Sequence, residues 1–291
     1  ENLNFDEKIR QGFKDIDFST TLSIATGYAK CSEGLMKTFD RGYSEITFSK
    51  IACITEAKEG IIHKEFHLCS ADPKLVGLDK VEIIGQTNFD VADQLADLGM
   101  EAIHPKASKD MEMNNIPIRV ANAFDPEHPG TLISTDFKCD TPRVEMITGR
   151  TDLIALELWD PDMVGQSGYD YQLVSHFARH DISYIAKNTN ANTITHYIPI
   201  HSKNLDQCIE DLRADFPTAR IRTQKIAIVS AIGSNMRFPG FLAKASGKLA
   251  EADINILAID QCMRQVNMQF IIDVSDFDAA VKALHKAVVE Q

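Results

Sequence analysis

Residues 152–216, DLIALELWDPDMVGQSGYDYQLVSHFARHDISYIAKNTNANTITHYIPIHSKNLDQCIEDLRADF, and residues 224–288, QKIAIVSAIGSNMRFPGFLAKASGKLAEADINILAIDQCMRQVNMQFIIDVSDFDAAVKALHKAV, align at a constant offset of 72 without a gap. Ile154-Ala155 answers Ile226-Ala227, Gly168 answers Gly240, Asp181-Ile182 answers Asp253-Ile254, and Leu212 answers Leu284. Identities are few, but the apolar classes match between these anchors: Tyr169 with Phe241, Ile194 with Val266, Ile198 with Phe270. A period this long means one structural unit used twice.

The first copy opens with alternation: Ala155 and Glu157 separate Ile154, Leu156 and Leu158, as in a strand with one covered face. In both copies a polar loop with glycine (Gly165 and Gly168; Gly233 and Gly240) then opens a helix. Tyr169, Leu173 and Phe177 fall at i, i+4 and i+8 of that helix, and Phe241, Ala245 and Leu249 take those places in the second copy. Two strands follow, and a closing helix carries Leu205, Ile209 and Leu212, or Phe277, Val281 and Leu284. Each copy is expected to be βαββα, with room for a last strand at 219–223: a small antiparallel sheet with helices on one face.

The chain ahead of the repeat alternates strand-like and helix-like stretches and reads as α/β. Strands are expected at 22–28, 116–120 and 131–134 and a helix at 90–100, while 46–54 reads as either a helix or a buried strand. With 291 residues, 44% of them hydrophobic, the chain can fill two or three cores. The expected domains are 1–138, 139–223 and 224–291. No run approaches a membrane span and no signal peptide opens the chain. The six cysteines show neither a CxxC pair nor framework spacing, so reduced cytoplasmic thiols are expected. A formal charge of −12 leaves no basic stripe to release counterions, which argues against a nucleic-acid partner. His63/His67 and His176/His180 have i, i+4 spacing but no nearby third ligand, so no metal site is predicted. No two glycines are adjacent and no phosphate-loop motif occurs.

At 98–134, LGMEAIHPKASKDMEMNNIPIRVANAFDPEHPGTLIS resembles the segment that closes the catalytic domain of aspartokinases. RGYSE at 41–45 stands where that family has an Arg-Gly-Gly-Ser-Asp loop, and SADPKLVG at 70–77 where it has a nucleotide-contacting loop. The tandem repeat is similar to the family's paired ACT domains. TGYAKCSEGLMKTFDRGYSE with HKEFHLCSADP resembles in particular the divergent aspartokinases associated with ectoine synthesis. The resemblance implies a partial amino-acid-kinase α/β domain followed by two α+β ACT domains of βαββαβ order. It also implies an enzyme that transfers the γ-phosphoryl of ATP, with Mg²⁺, to the side-chain carboxylate of L-aspartate under effector control. The family's opening Lys-Phe-Gly-Gly strand and loop has no counterpart here, and the chain starts at Glu1. A fragment carrying the second half of the kinase domain, inactive alone, is therefore expected. The alternative is a non-catalytic regulatory subunit that binds an amino-acid effector or a catalytic partner. A third, weaker alternative is a degenerate kinase fold kept for ligand sensing.

A carboxylate is already ionised at neutral pH, so this reaction needs positioning and charge neutralisation rather than a base. By resemblance Arg41 and Ser44 hold the aspartate, the guanidinium gripping a carboxylate with two parallel bonds, and Glu45 replaces the family's orienting aspartate. Without the resemblance, Arg41 reads as the cap of a surface turn. On the nucleotide side, His63-Lys64 replaces a Thr-Asp pair, Cys69 a tyrosine, Lys74 an arginine and Glu101 a lysine. His63, Lys64 and Lys74 are expected to restore, in one pocket, the charge that Glu101 reverses.

The loop before each copy's first helix leaves free N–H groups at a helix N-terminus, a seat for a carboxylate. Met163, Gln166, Gly168 and Tyr169 resemble the effector loop of lysine-sensing aspartokinases. Asn235, Met236 and Gly240 mark the same place in the second copy, and the simpler reading is that the glycines only permit turns. Lysine-sensing relatives carry an acid at position 185, where this chain has Ile185. A buried ammonium without a counter-charge is costly, so lysine is expected to bind poorly. The resemblance further implies a homodimer through the ACT sheet edges. It also implies that residues 144–148 join the second copy's sheet, with the first copy inserted within the second.

Overall fold

Capped by Asn4, whose side chain accepts the Glu7 N–H, helix α1 (Phe5–Phe13) turns Phe5 and Ile9 into the core of the first unit. The computed structural model describes residues 4–27, 43–100 and 103–290. They form two units: residues up to 70 with 82–141, and residues 71–81 with those from 142 onward.

The first unit continues with α2 (Tyr43–Ile54), β1 (Gly60–Lys64), β2 (Gln86–Asn88), α3 (Phe89–Asp97), α4 (Pro105–Met113), β3 (Ile118–Asn122) and β4 (Thr131–Ser134). Its sheet runs β1-β3-β4-β2, with β1 parallel to β3, β3 antiparallel to β4, and β4 parallel to β2. Ile46, Phe89 and Met111 from three helices close over Ile118, Val120 and Ile133. The ambiguous stretch 46–54 is thus helical. The strand expected at 22–28 does not form in its described part, 22–27. Leu22 and Ile24 are 93% and 94% exposed, so their alternation has neither a neighbouring strand nor a core to cover.

The second unit holds β5 (Met146–Trp159), α5 (Tyr169–Arg179), β6 (Ala186–Thr189), β7 (Thr193–Pro199), α6 (Leu205–Asp215), β8 (Arg220–Ile232), α7 (Phe241–Glu251), β9 (Ile256–Asp260), β10 (Asn267–Asp273) and α8 (Phe277–Val288). Its antiparallel sheet runs β6-β7-β5-β8-β10-β9. β5 and β8 are long because each serves both copies. Residues 146–150 of β5 pair with 228–232 of β8, whereas 153–159 pair with 220–226 and with β7. The first copy is therefore inserted between two strands of the second. A bulge between Arg150 and Leu153 reverses the strand's faces, so Ile147 enters the second copy's core and Leu156 the first copy's.

The repeat holds through the helices. Tyr169, Leu173 and Phe177 are buried where Phe241, Ala245 and Leu249 are. Gly168 and Gly240 have φ of 81° and 84°, and Asp181 and Asp253 have φ of 55° and 58°. The gap-free offset fails in the opening strand. Leu156 and Leu158 face the first core, but Ala227, Val229 and Ala231 face the second, one residue out of step. A one-residue slip moves every side chain to the other face, so the loop into α7 is one residue shorter than the loop into α5.

Residues 71–81, inside the span 1–138 expected as one domain, group instead with the second unit. Asp72 caps the single helical turn Pro73–Val76, and Ala71 and Val76 are buried in that unit's core.

Candidate functional site

In the first unit, three segments meet at the carboxylate of Glu45. Glu45 lies in the first turn of α2, and its Oε1 is 3.2 Å from Nζ of Lys64, the last residue of β1. Its Oε2 accepts the backbone N–H of His104, the residue that caps α4. The pair is about a quarter exposed, at 27% for Glu45 and 21% for Lys64. It stands at the carboxyl end of a parallel strand, where open α/β sheets bind their ligands. Ser44, beside Glu45, is exposed, and the 26–27 segment comes down on it closely. Thr47 Oγ1 donates to the Gly27 carbonyl at 2.9 Å, and a Cβ on Gly27 would lie 2.9 Å from Ser44 Cα.

Of the three cations expected to share a pocket, His63 and Lys64 diverge. His63 and Lys64 are consecutive on β1, opposite Ala121 and Asn122, so their side chains leave opposite faces of the sheet. Lys74 is exposed and belongs to the second unit. Cys69 is buried, its Sγ 3.4 Å from the His67 carbonyl, and burial pushes its thiol pKa up. Arg41 and Glu101 lie outside the described residues. His104 was missed by sequence reasoning, although the His-Pro dipeptide that starts α4 is a helix-start signal.

Carboxylates engage three of the four histidines in the two i, i+4 pairs. His67 turns to Asp125 at 3.0 Å. His176 and His180 bridge α5 to α6, with Nε2 atoms 3.2 Å from Asp215 and 2.8 Å from Asp211. Among the described residues no group of three His, Cys, Asp or Glu could hold a metal ion.

In the second unit, Gly168 and Gly240 cap α5 and α7 in the left-handed region with no side-chain cap bond. Tyr169 is committed elsewhere: its hydroxyl donates to Asp160 at 2.6 Å, and Asp160 also accepts from Thr218 and from the Asp162 N–H. Burial and that carboxylate push the Tyr169 phenol well above its ordinary range. Met163 and Met236 are core residues, and the Asn235 carbonyl accepts the Arg143 N–H at 2.9 Å. Of the expected effector contacts, exposed Gln166 and the two glycine caps remain open. Asp170, in the first turn of α5, pairs with Lys187 of β6. His196 lies close by, fully buried against Phe177 and Tyr184, with neither ring nitrogen hydrogen-bonded. Burial lowers its pKa to about 4. His196 was also missed, and the signal was its alignment with Met268, an apolar core residue of the second copy.

A model of the amino acid kinase family matches residues 13–122, and a model of the ACT domain matches residues 229–288. The chain is thus a mixed α/β protein carrying both kinds of domain. Over 288 residues it is 50% identical to the aspartate kinase Ask_Ect of Stutzerimonas stutzeri, a match covering 99% of this chain and 60% of that protein. The crystal structure of Clostridium acetobutylicum aspartate kinase superposes with a TM-score of 0.78 at 22% identity, over 86% of this chain and 58% of that one. E. coli aspartokinase III in complex with aspartate and ADP superposes at 0.74 with 22% identity, over 85% of this chain and 56% of that one. At such identity the two structures establish the fold, and the chain spans just over half the length of the proteins it matches.

Proposed function

We propose that this chain works in an aspartate kinase that moves the γ-phosphoryl of ATP onto the side-chain carboxylate of L-aspartate, giving 4-phospho-L-aspartate. The observation that carries this reading is the 50% identity to an aspartate kinase across 288 residues. The junction of Glu45, Lys64 and His104 at the end of β1 supports it. In this reading Arg41 and Ser44 take the aspartate. Lys64 supplies positive charge to the transferring phosphate, held in place by Glu45. Mg²⁺ arrives on the nucleotide's phosphates. Both copies of the repeat act as ACT domains in a cytoplasmic homodimer joined through them, and among the described residues no helix is long and apolar enough to cross a membrane. The full-length gene product should form aspartyl phosphate, trapped as the hydroxamate, only with both ATP and aspartate present. Hydroxamate from glutamate but not aspartate, or none at all, would end this reading.

The effector of this module is an amino acid other than lysine. Lys187 already pairs with Asp170 in the first turn of α5, and position 185 is an isoleucine whose N–H donates to the Tyr197 carbonyl. A second ammonium there would meet the like charge of Lys187. Calorimetric titration with lysine should give no saturable heat at millimolar concentration, and micromolar binding would contradict the assignment.

A further inference from the structure

The second unit's helices cover one face of its sheet, and the opposite face carries a trough. Its two end strands draw together there: the Tyr197 hydroxyl donates to Asn188 Oδ1 at 2.6 Å, and Asn188 Nδ2 donates to the Ile259 carbonyl at 3.0 Å. These bonds tie β6 to β9 and fix the walls of a cavity of about 450 Å³. That volume lies within the range of small-molecule sites.

The lining is chemically divided. Ile226, Leu257 and Ile271 supply an apolar part, and Glu157 and Arg222 supply two charges. Glu157 and Arg222 are directly opposite in the β5–β8 register, so their Cβ atoms are about 5 Å apart. Neither forms an ion pair or hydrogen bond with the other or with any other side chain among the described residues. Arg220, two residues earlier on the same face, stacks 4.9 Å over the Trp159 ring, whereas Arg222 has no such partner. A guanidinium fork suits a carboxylate, and a carboxylate beside it suits an ammonium. Side by side and not in contact with each other, the two match a molecule that carries both charges on neighbouring atoms.

We propose that this trough binds a zwitterionic α-amino acid with an apolar side chain, its carboxylate on Arg222, its ammonium on Glu157 and its side chain over Ile226, Leu257 and Ile271. The site is on the other face of the sheet from the loops at Gly168 and Gly240. It rests on the second unit alone, so it stands or falls separately from the kinase reading.

The chain is titrated calorimetrically with leucine, valine, methionine and phenylalanine, and with the methyl ester and N-acetyl derivative of whichever binds best. At least one free amino acid should bind saturably, and both derivatives, each lacking one charge, should not. Arg222→Ala and Glu157→Gln should each weaken binding about tenfold or more, the usual cost of one charged hydrogen bond, with unchanged melting temperature. The proposal is overturned if none of the four amino acids binds. It is equally overturned if either variant keeps the parent affinity, because the ligand then sits elsewhere.

Discussion

Alanine at Gly149 is expected to lower the stability of the second unit by about 3 kcal/mol, among the largest effects of any single methyl group. Gly149 lies in β5 just ahead of the bulge that hands the strand from one copy of the repeat to the other. A Cβ there would strike the Ile228 carbonyl oxygen, with the Ile228 carbonyl carbon at 3.0 Å and Phe277 Cε2 at 2.9 Å. Two of those atoms are backbone of the neighbouring strand and cannot swing aside. Relief therefore requires β5 and β8 to part where both cores depend on them. For a unit of this size the loss corresponds to about 6–12 °C in the unfolding temperature. Gly247 supplies the control. It is exposed in the middle of α7 with nothing within 4 Å of its added Cβ, so Gly247→Ala should stabilise by about 0.5–1 kcal/mol. Differential scanning calorimetry of the two variants should move in opposite directions. A Gly149→Ala protein as stable as the parent would mean that the two strands do not approach as described.

The same junction shows where sequence reading stops. The helices of the repeat were legible because Tyr169, Leu173 and Phe177 alternate with polar residues at helical spacing, and because their partners repeat it. The opening strand of the second copy was not. Ile226, Ala227, Ile228, Val229, Ala231 and Ile232 are all buried, so the strand is apolar on both faces and its sequence marks neither as inward. An alignment by identity then chose Ile226-Ala227 for Ile154-Ala155, one residue away from the pairing by face. Likewise the leading strand was expected to end at Thr148, although β5 runs on to Trp159. The excursion at 71–81 was equally hidden, since only its fold shows that Ala71 and Val76 leave the first unit's core for the second's. In the loops that open α5 and α7 the glycine caps were legible from their chemistry. The commitment of Tyr169 to Asp160 was not, because eight residues of connecting loop lie between them.

The first unit's site was half legible in the same sense: Glu45 and Lys64 were each singled out, but for different ends of the reaction. Their contact spans 19 residues of sequence, and the His104 N–H lies 59 residues from Glu45, so only the folded sheet brings them together. That geometry separates two roles by experiment. If Lys64 neutralises the transferring phosphate, Lys64→Ala in the full-length gene product should lower kcat/KM for ATP by about 100-fold while the KM for aspartate stays near the parent value. Glu45→Gln keeps the shape but halves the attraction that holds both Lys64 and the start of α4. It should lower kcat by about tenfold to 100-fold, the range expected when a positioning contact loosens a reactive group by about 1 Å. A structural salt bridge predicts otherwise. A pair this exposed contributes about 1 kcal/mol at most, so both variants would lose a little stability together and keep their kinetics. Steady-state kinetics with each substrate varied in turn, beside thermal melts of the same proteins, decides between them, because only the phosphate-binding role moves the ATP constants while sparing those of aspartate.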